Sequence, residues 1–117
     1  MKIYELNFYG CKYHIALFKG TYQSNNTLAI EMIEVSPKGK RIRDYFGMLT
    51  VNIADSDVAA SDKYAFIDTN NNGGEIAQWL IDNKIALPTG IMGYSGFCSY
   101  PLFKFDESVL DEMEEIK

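Results

Sequence analysis

The sequence predicts an α+β fold, an antiparallel β-meander of about five to six strands with two short helices packed on it. Three features lead there. Apolar and polar residues alternate in the first half, turn-forming clusters separate the alternating runs, and helical spacing of apolar residues occurs only after residue 70. The 117 residues, 47% hydrophobic and 14% aromatic, make one domain over 1–117. A chain of this size buries roughly 65% of its unfolded surface, enough for one core without staples.

Tyr4, Leu6 and Phe8 alternate with Glu5 and Asn7. After Gly10 and Cys11 the alternation resumes at Tyr13, Ile15 and Leu17, which reads as a β-hairpin. Gln23, Ser24, Asn25 and Asn26 end the second strand, because their side chains satisfy backbone groups locally. A third strand runs from Thr27 to Val35, the Ser36-Pro37-Lys38-Gly39 turn follows, and a fourth strand returns from Ile42 to Ile53. Ala54 to Lys63 reads as a polar loop before the apolar run Tyr64 to Ile67.

Asn72 and Glu75 have the spacing of a capping box, and Ile76, Ala77, Trp79, Leu80 and Ile81 predict a helix over about 75–83 that Leu87-Pro88-Thr89-Gly90 stops. Gly90, Gly93 and Gly96 with interleaved aromatics make Gly90 to Ser99 an ordered loop packed by its own Tyr94 and Phe97. Pro101 to Phe105 forms a last short strand. Asp106 caps a final helix whose Val109, Leu110, Met113 and Ile116 dock on the sheet.

Much chemistry is excluded by what is missing. One histidine, His14, and two cysteines far apart, Cys11 and Cys98, cannot assemble an ordinary closed zinc site, and no cofactor motif is present. The cysteines read as reduced, buried small hydrophobes, and His14 as a solvent-facing strand residue, so a Cys98–His14 nucleophile has no support from spacing. Gly93-Tyr94-Ser95-Gly96 lacks the nucleophile-elbow spacing. The Asx run from Asp68 to Gly73 places Trp79 where a calcium loop requires Glu, and so reads as a helix-capping turn. The expectation is a cytoplasmic protein with no enzymatic activity, no cofactor and no membrane partner.

Charge is unevenly placed. Residues 1–105 hold ten basic and ten acidic side chains, whereas the last twelve hold six carboxylates and Lys117, which accounts for the whole net charge of −5. Asp106, Glu107, Asp111, Glu112, Glu114 and Glu115 thus form a candidate partner-binding tail that favours basic protein surfaces and disfavours direct nucleic-acid binding. A second candidate surface comprises Asn70, Asn71, Tyr94, Ser95, Phe97 and Tyr100, where Tyr94, Phe97 and Tyr100 read first as core and otherwise as interface anchors. Lys38, Lys40, Arg41 and Arg43 sit at a hairpin tip, as a solvated turn that could also touch phosphate.

Leu49-Thr50-Val51-Asn52-Ile53, Phe66-Ile67-Asp68-Thr69-Asn70-Asn71, and Pro88-Thr89-Gly90 with Ser95-Gly96-Phe97-Cys98-Ser99-Tyr100-Pro101-Leu102 resemble a family of small bacterial proteins of unassigned function carried on conjugative elements and phages. Some members of that family resemble anti-CRISPR proteins of type II systems. The resemblance implies a non-enzymatic inhibitor that binds a host RNA-guided nuclease and blocks guide RNA or DNA engagement. The alternative is a mobile-element accessory protein that binds another protein or a small ligand through its Asx and Gly loops. No functional residue is carried over from the family.

Overall fold

A computed structural model describes residues 2–23, 27–36, 42–53 and 61–116. Its first sheet is the predicted meander, with β1 (Tyr4–Phe8), β2 (Cys11–Thr21), β3 (Leu28–Val35) and β4 (Ile42–Met48) side by side in chain order. Tyr9 and Gly10, at φ 49° and 79°, supply the mirror-image two-residue turn that matches strand twist between Phe8 and Cys11. The second sheet contains β5 (Thr50–Val51), β6 (Tyr64–Ile67), β7 (Ala86–Ser95) and β8 (Cys98–Phe105) in the order β5-β6-β8-β7. Three short helices, α1 (Thr69–Asn72), α2 (Glu75–Asp82) and α3 (Glu107–Glu112), and a final two-residue strand β9 (Glu114–Glu115) complete the described elements.

The α+β class and the antiparallel meander agree with the sequence reading, while the described strands number nine. Part of the difference lies at Leu49. The predicted strand from Ile42 to Ile53 is two strands, because the chain leaves the first sheet at Met48 and enters the second at Thr50. Leu49 between them is fully buried, so its backbone groups need protein partners. Its N–H donates to Ile30 C=O on β3, and its C=O accepts from Asp68 N–H beyond β6, both at 2.9 Å. The Thr50 hydroxyl accepts Ile30 N–H at 3.1 Å and shares a 2.9 Å hydrogen bond with the Tyr22 hydroxyl.

Around that crossing sits one main core. Ile15, Leu17, Ile30 and Met32 enter it from the first sheet, Ala65, Ile67, Phe103 and Phe105 from the second, and Ile76, Trp79 and Leu80 from α2. Each of the Ile, Leu, Met and Phe side chains among them contributes about 1.5–3 kcal/mol on burial. Trp79 is anchored at both ends of its ring system. Its ring meets Tyr4 edge-on at 5.9 Å, and its indole N–H donates to Glu5 C=O at 2.8 Å.

Two expectations are corrected here. Asn72 does not cap α2, which starts at Gly74 without a side-chain cap; Asn72 ends α1 instead, and its amide donates to Met48 C=O and Asp68 C=O. Asp68 caps α1, accepting Asn71 N–H at 3.0 Å. The final helix stops at Glu112, where Met113 turns extended at ψ 140°, and the chain continues as β9. The reason is an open edge, since β1 covers β2 only as far as Ile15, and β9 pairs with the uncovered Phe18 and Lys19. Lys19 Nζ also donates to Leu110 C=O at 2.7 Å, which satisfies a C-terminal carbonyl of α3.

Replacing Thr50 by Val keeps the shape but strands the buried Ile30 N–H. We expect Thr50→Val to lower stability by about 1–3 kcal/mol, read as a lower urea midpoint at unchanged slope, with Tyr22→Phe costing less. Equal stability of wild type and Thr50→Val would remove the hydroxyl from the crossing's support.

Candidate functional site

Gly90 to Ser99 is not a self-packed loop. It forms the outer half of the β7–β8 hairpin, with Ser95 opposite Cys98 and Gly96 at φ 60° supplying the positive angle needed at the first turn position. Tyr94 and Phe97 do not pack inward either. Tyr94 is 70% exposed and Phe97 wholly so, and Ile91, Met92 and Leu87 add further exposed apolar surface on the same hairpin. Ser95 is exposed beside them. Tyr100 alone of the predicted trio is core, packed with Phe66 and Leu102.

Close packing holds the hairpin on the second sheet. A Cβ at Gly93 would come within 2.8 Å of Phe66 Cζ and 2.9 Å of Ile53 Cδ1, so the ring from β6 reaches β7 only because this position is glycine. Thr89 Oγ1 donates to Leu102 C=O at 2.9 Å, bracing the irregular stretch between Pro88 and Met92. The hairpin is also almost free of charge, Lys104 near the end of β8 being its one charged residue. Residues 85–103 contain no Asp, Glu, Lys, Arg or His, a run of 19 in a chain whose charged share is 23%. That run was the available sequence signal for this surface, and the glycine spacing obscured it.

The acidic surface lies at the other end of the hairpin. Leu87 at the base lines a groove with Asp106 and Glu107, and with Lys84 and Lys104, while Ser95 at the tip is eight residues further along β7, roughly 25 Å at the usual strand rise. Asp106 caps α3, accepting from Ser108 N–H at 2.8 Å and Ser108 Oγ at 2.6 Å, and these bonds, the hydroxyl's first, hold its carboxyl below the usual range. Glu107 pairs with Lys63, which lowers its carboxyl and raises the ammonium. Asp111, Glu112, Glu114 and Glu115 are exposed, the last two along β9. The carboxylates therefore sit on folded elements. The two predicted partner surfaces are separate, with hairpin tip and acidic end divided by the length of β7.

The Asx residues line a third region. Asp68, Asn71, Thr50, Tyr13, Tyr22 and Tyr45 border an open groove of about 670 Å³ between the two sheets, with Asn70 exposed next to it on α1. The Asp68 carboxylate is already engaged, accepting Asn71 N–H through Oδ1 and Asn71 Nδ2 through Oδ2 at 2.8 Å. Burial pushes the Tyr22 phenol above its ordinary value, opposed by the Thr50 hydrogen bond and assisted by Asp68 and Tyr45. Burial likewise raises Tyr100, with Cys98 and Asp68 adding to it.

Other candidates resolve simply. His14 stands opposite Glu5 on the β1–β2 hairpin, half-buried, with Nε2 4.0 Å from Glu5 Oε1. Cys98 belongs to the second sheet and His14 to the first. Both cysteines are free, and contrary to expectation Cys11 is exposed, because it closes a surface turn. Lys38, Lys40 and Arg41 lie outside the described residues, and Arg43 is placed on β4 by its backbone alone. Among the described residues no helix is long and apolar enough to cross a membrane.

Comparison with known proteins adds one finding. A family model described as a domain of unknown function, DUF4313, matches residues 17–116, from within β2 to just past β9. No curated protein and no solved structure matches.

A phenol whose folded pKa is raised contributes stability that is complete below the ordinary value near 10 and is lost as pH rises through the folded value. We expect a spectrophotometric tyrosine titration to show a late component above pH 10, diminished in Tyr22→Phe and in Tyr100→Phe. A titration with all tyrosines ionising together near 10 would contradict the burial of these two hydroxyls.

Proposed function

The chain belongs to the DUF4313 family, a family of unknown function, and from that premise we propose that it is a non-enzymatic inhibitor that binds a host RNA-guided nuclease of the type II class and blocks its engagement of guide RNA or DNA. The observation that carries the binding part is the β7–β8 hairpin. Its exposed Tyr94, Phe97, Ile91 and Met92, on a rigid frame and free of charge, have the composition of interface anchors rather than of solvated surface. The acidic α3–β9 end supports a basic, nucleic-acid-handling partner, since clustered carboxylates steer encounter with a positive channel. The nuclease class itself rests on the resemblance of the L-T-V-N, D-T-N-N and S-G-F-x-x-Y-P segments to proteins of mobile elements. In this reading the hairpin supplies affinity and the acidic end competes for the groove that nucleic acid would occupy.

One observation favours a second reading, a mobile-element accessory protein that binds a small ligand. The Asx segment and three tyrosines converge on the groove between the sheets, which is large enough for a small molecule. A ligand-dependent rise in melting temperature, abolished by Tyr45→Ala, would support that reading over inhibition.

The primary test is co-elution of the protein with a type II nuclease, with and without guide RNA, followed by DNA cleavage on the same fractions. We expect a guide-sensitive complex with lost cleavage. The double variant Tyr94→Ser/Phe97→Ser should weaken it by about 2 kcal/mol or more. Neutralising the acidic end, with Asp111→Asn and Glu112, Glu114 and Glu115 each changed to Gln, should slow association and flatten its salt dependence. Normal cleavage and no complex would overturn the nuclease reading; full binding by the tip variant would remove the hairpin from it.

A further inference from the structure

Among the described residues, the first strand has one side that no other strand covers. β1 pairs only with β2, and the two-residue turn makes Phe8 and Cys11 the doubly bonded closing pair. Antiparallel alternation then directs the N–H and C=O of Tyr4, Leu6 and Phe8 toward β2 and those of Glu5 and Asn7 outward. The Trp79 indole bears this out by donating to Glu5 C=O from the outer side. The Glu5 N–H and both backbone groups of Asn7 remain facing out. Among the described residues none of the three has a protein partner.

Those outward groups border a groove of about 760 Å³ between β1 and α2. Among the described residues its walls carry three carboxylates, Glu5 on β1 and Glu75 and Asp82 on α2, and no Lys, Arg or His. Glu5 is partly balanced from β2 by Lys12 at 3.9 Å, with His14 Nε2 4.0 Å away. Among the described residues Glu75 and Asp82 have no ion-pair partner, and Asp82 accepts only from Gln78, its neighbour one turn back. At the far end Tyr9 is 88% exposed, an aromatic face on which a cation can sit.

We propose that this groove docks an extended, basic segment of a partner protein, which adds to the β1 edge at Asn7 and directs Lys or Arg side chains to Glu75, Asp82 and Tyr9. Backbone bonds to Asn7 give an extended segment its register, and the carboxylates select its charge. Trp79 ends the pairing by occupying Glu5 C=O, so the added strand is short. An acidic segment would meet three like charges, and a helical one could not use the Asn7 groups. The site is independent of the hairpin tip and does not require that the partner be a nuclease.

Trp79 is the only tryptophan of the chain and lines the groove, so its emission reports occupancy without a label. The test titrates the whole protein with a short extended peptide alternating Lys and Val, with its twin alternating Glu and Val, and with the Lys peptide N-methylated on one backbone edge. The Lys peptide should bind with a shift in Trp79 emission and slowed hydrogen exchange at the Asn7 amide. The Glu twin and the N-methylated peptide should each bind roughly tenfold more weakly or worse. Glu75→Gln/Asp82→Asn, whose exposed side chains keep their shape, should lose a similar factor, whereas neutralising Asp111, Glu112, Glu114 and Glu115 should change nothing. Equal binding of both charges, binding that leaves Trp79 and Asn7 undisturbed, or binding lost only with the α3–β9 carboxylates would each overturn the proposal. So would self-association of the protein that protects the Asn7 amide without peptide, since a second copy would then own the edge.

Discussion

The fold depends on how the chain passes from one sheet to the other at Leu49. A buried strand crossing must place every backbone donor and acceptor against protein, because no water is there to take them. Leu49 meets this by bonding β3 with its N–H and the segment after β6 with its C=O, so one residue belongs to the hydrogen-bond scheme of both sheets. Thr50 extends the link through its hydroxyl to Ile30 and Tyr22. The Asx segment is held against the same point, since Asp68 N–H reaches Leu49 and the Asn72 amide reaches Met48. Two of the three segments that carry the family resemblance thus meet at the crossing, where each performs a structural task.

That crossing aims the β7–β8 hairpin. With β6 fixed beside β5 and β8 beside β6, β7 becomes the outer strand of its sheet, and its far end extends beyond the core. Phe66 presses on Gly93 from within, while Tyr94 and Phe97 are left outside. Charge is segregated along the same direction. Residues 85–103 have none, the hairpin base brings Lys84 and Lys104 together with Asp106 and Glu107, and the remaining carboxylates continue along α3 and β9. Such separation suits a binding protein, in which apolar anchors set affinity and distant charge sets encounter and orientation.

Each sheet edge is handled differently. The exposed end of β2 is closed by β9, which the chain's own acidic segment supplies. β1 is only partly closed, by a helix that spends one indole N–H on one carbonyl. β7 is interrupted near Pro88 but uncovered toward its tip. Proteins usually blunt such edges, and an edge left open while carrying aromatics or carboxylates beside it is a natural place for another chain.

Period-two alternation made β1, β2 and β3 readable, because one buried face demands that pattern whatever it packs against. The α2 stripe and the Asp106 cap were legible for the same reason: helical spacing and capping chemistry are local. The six terminal carboxylates, too, are plain in the sequence. Tertiary structure alone decided that Ile42 to Ile53 breaks at Leu49, that Glu114 and Glu115 leave the helix to cover β2, and that Asn72 serves β4 rather than α2. It alone placed Tyr100 inside and Tyr94 and Phe97 outside, although all three stand in one glycine-rich run. The reason is physical: local pattern reports what a segment can bury, whereas which face is covered, and which edge stays open, depends on where distant strands arrive.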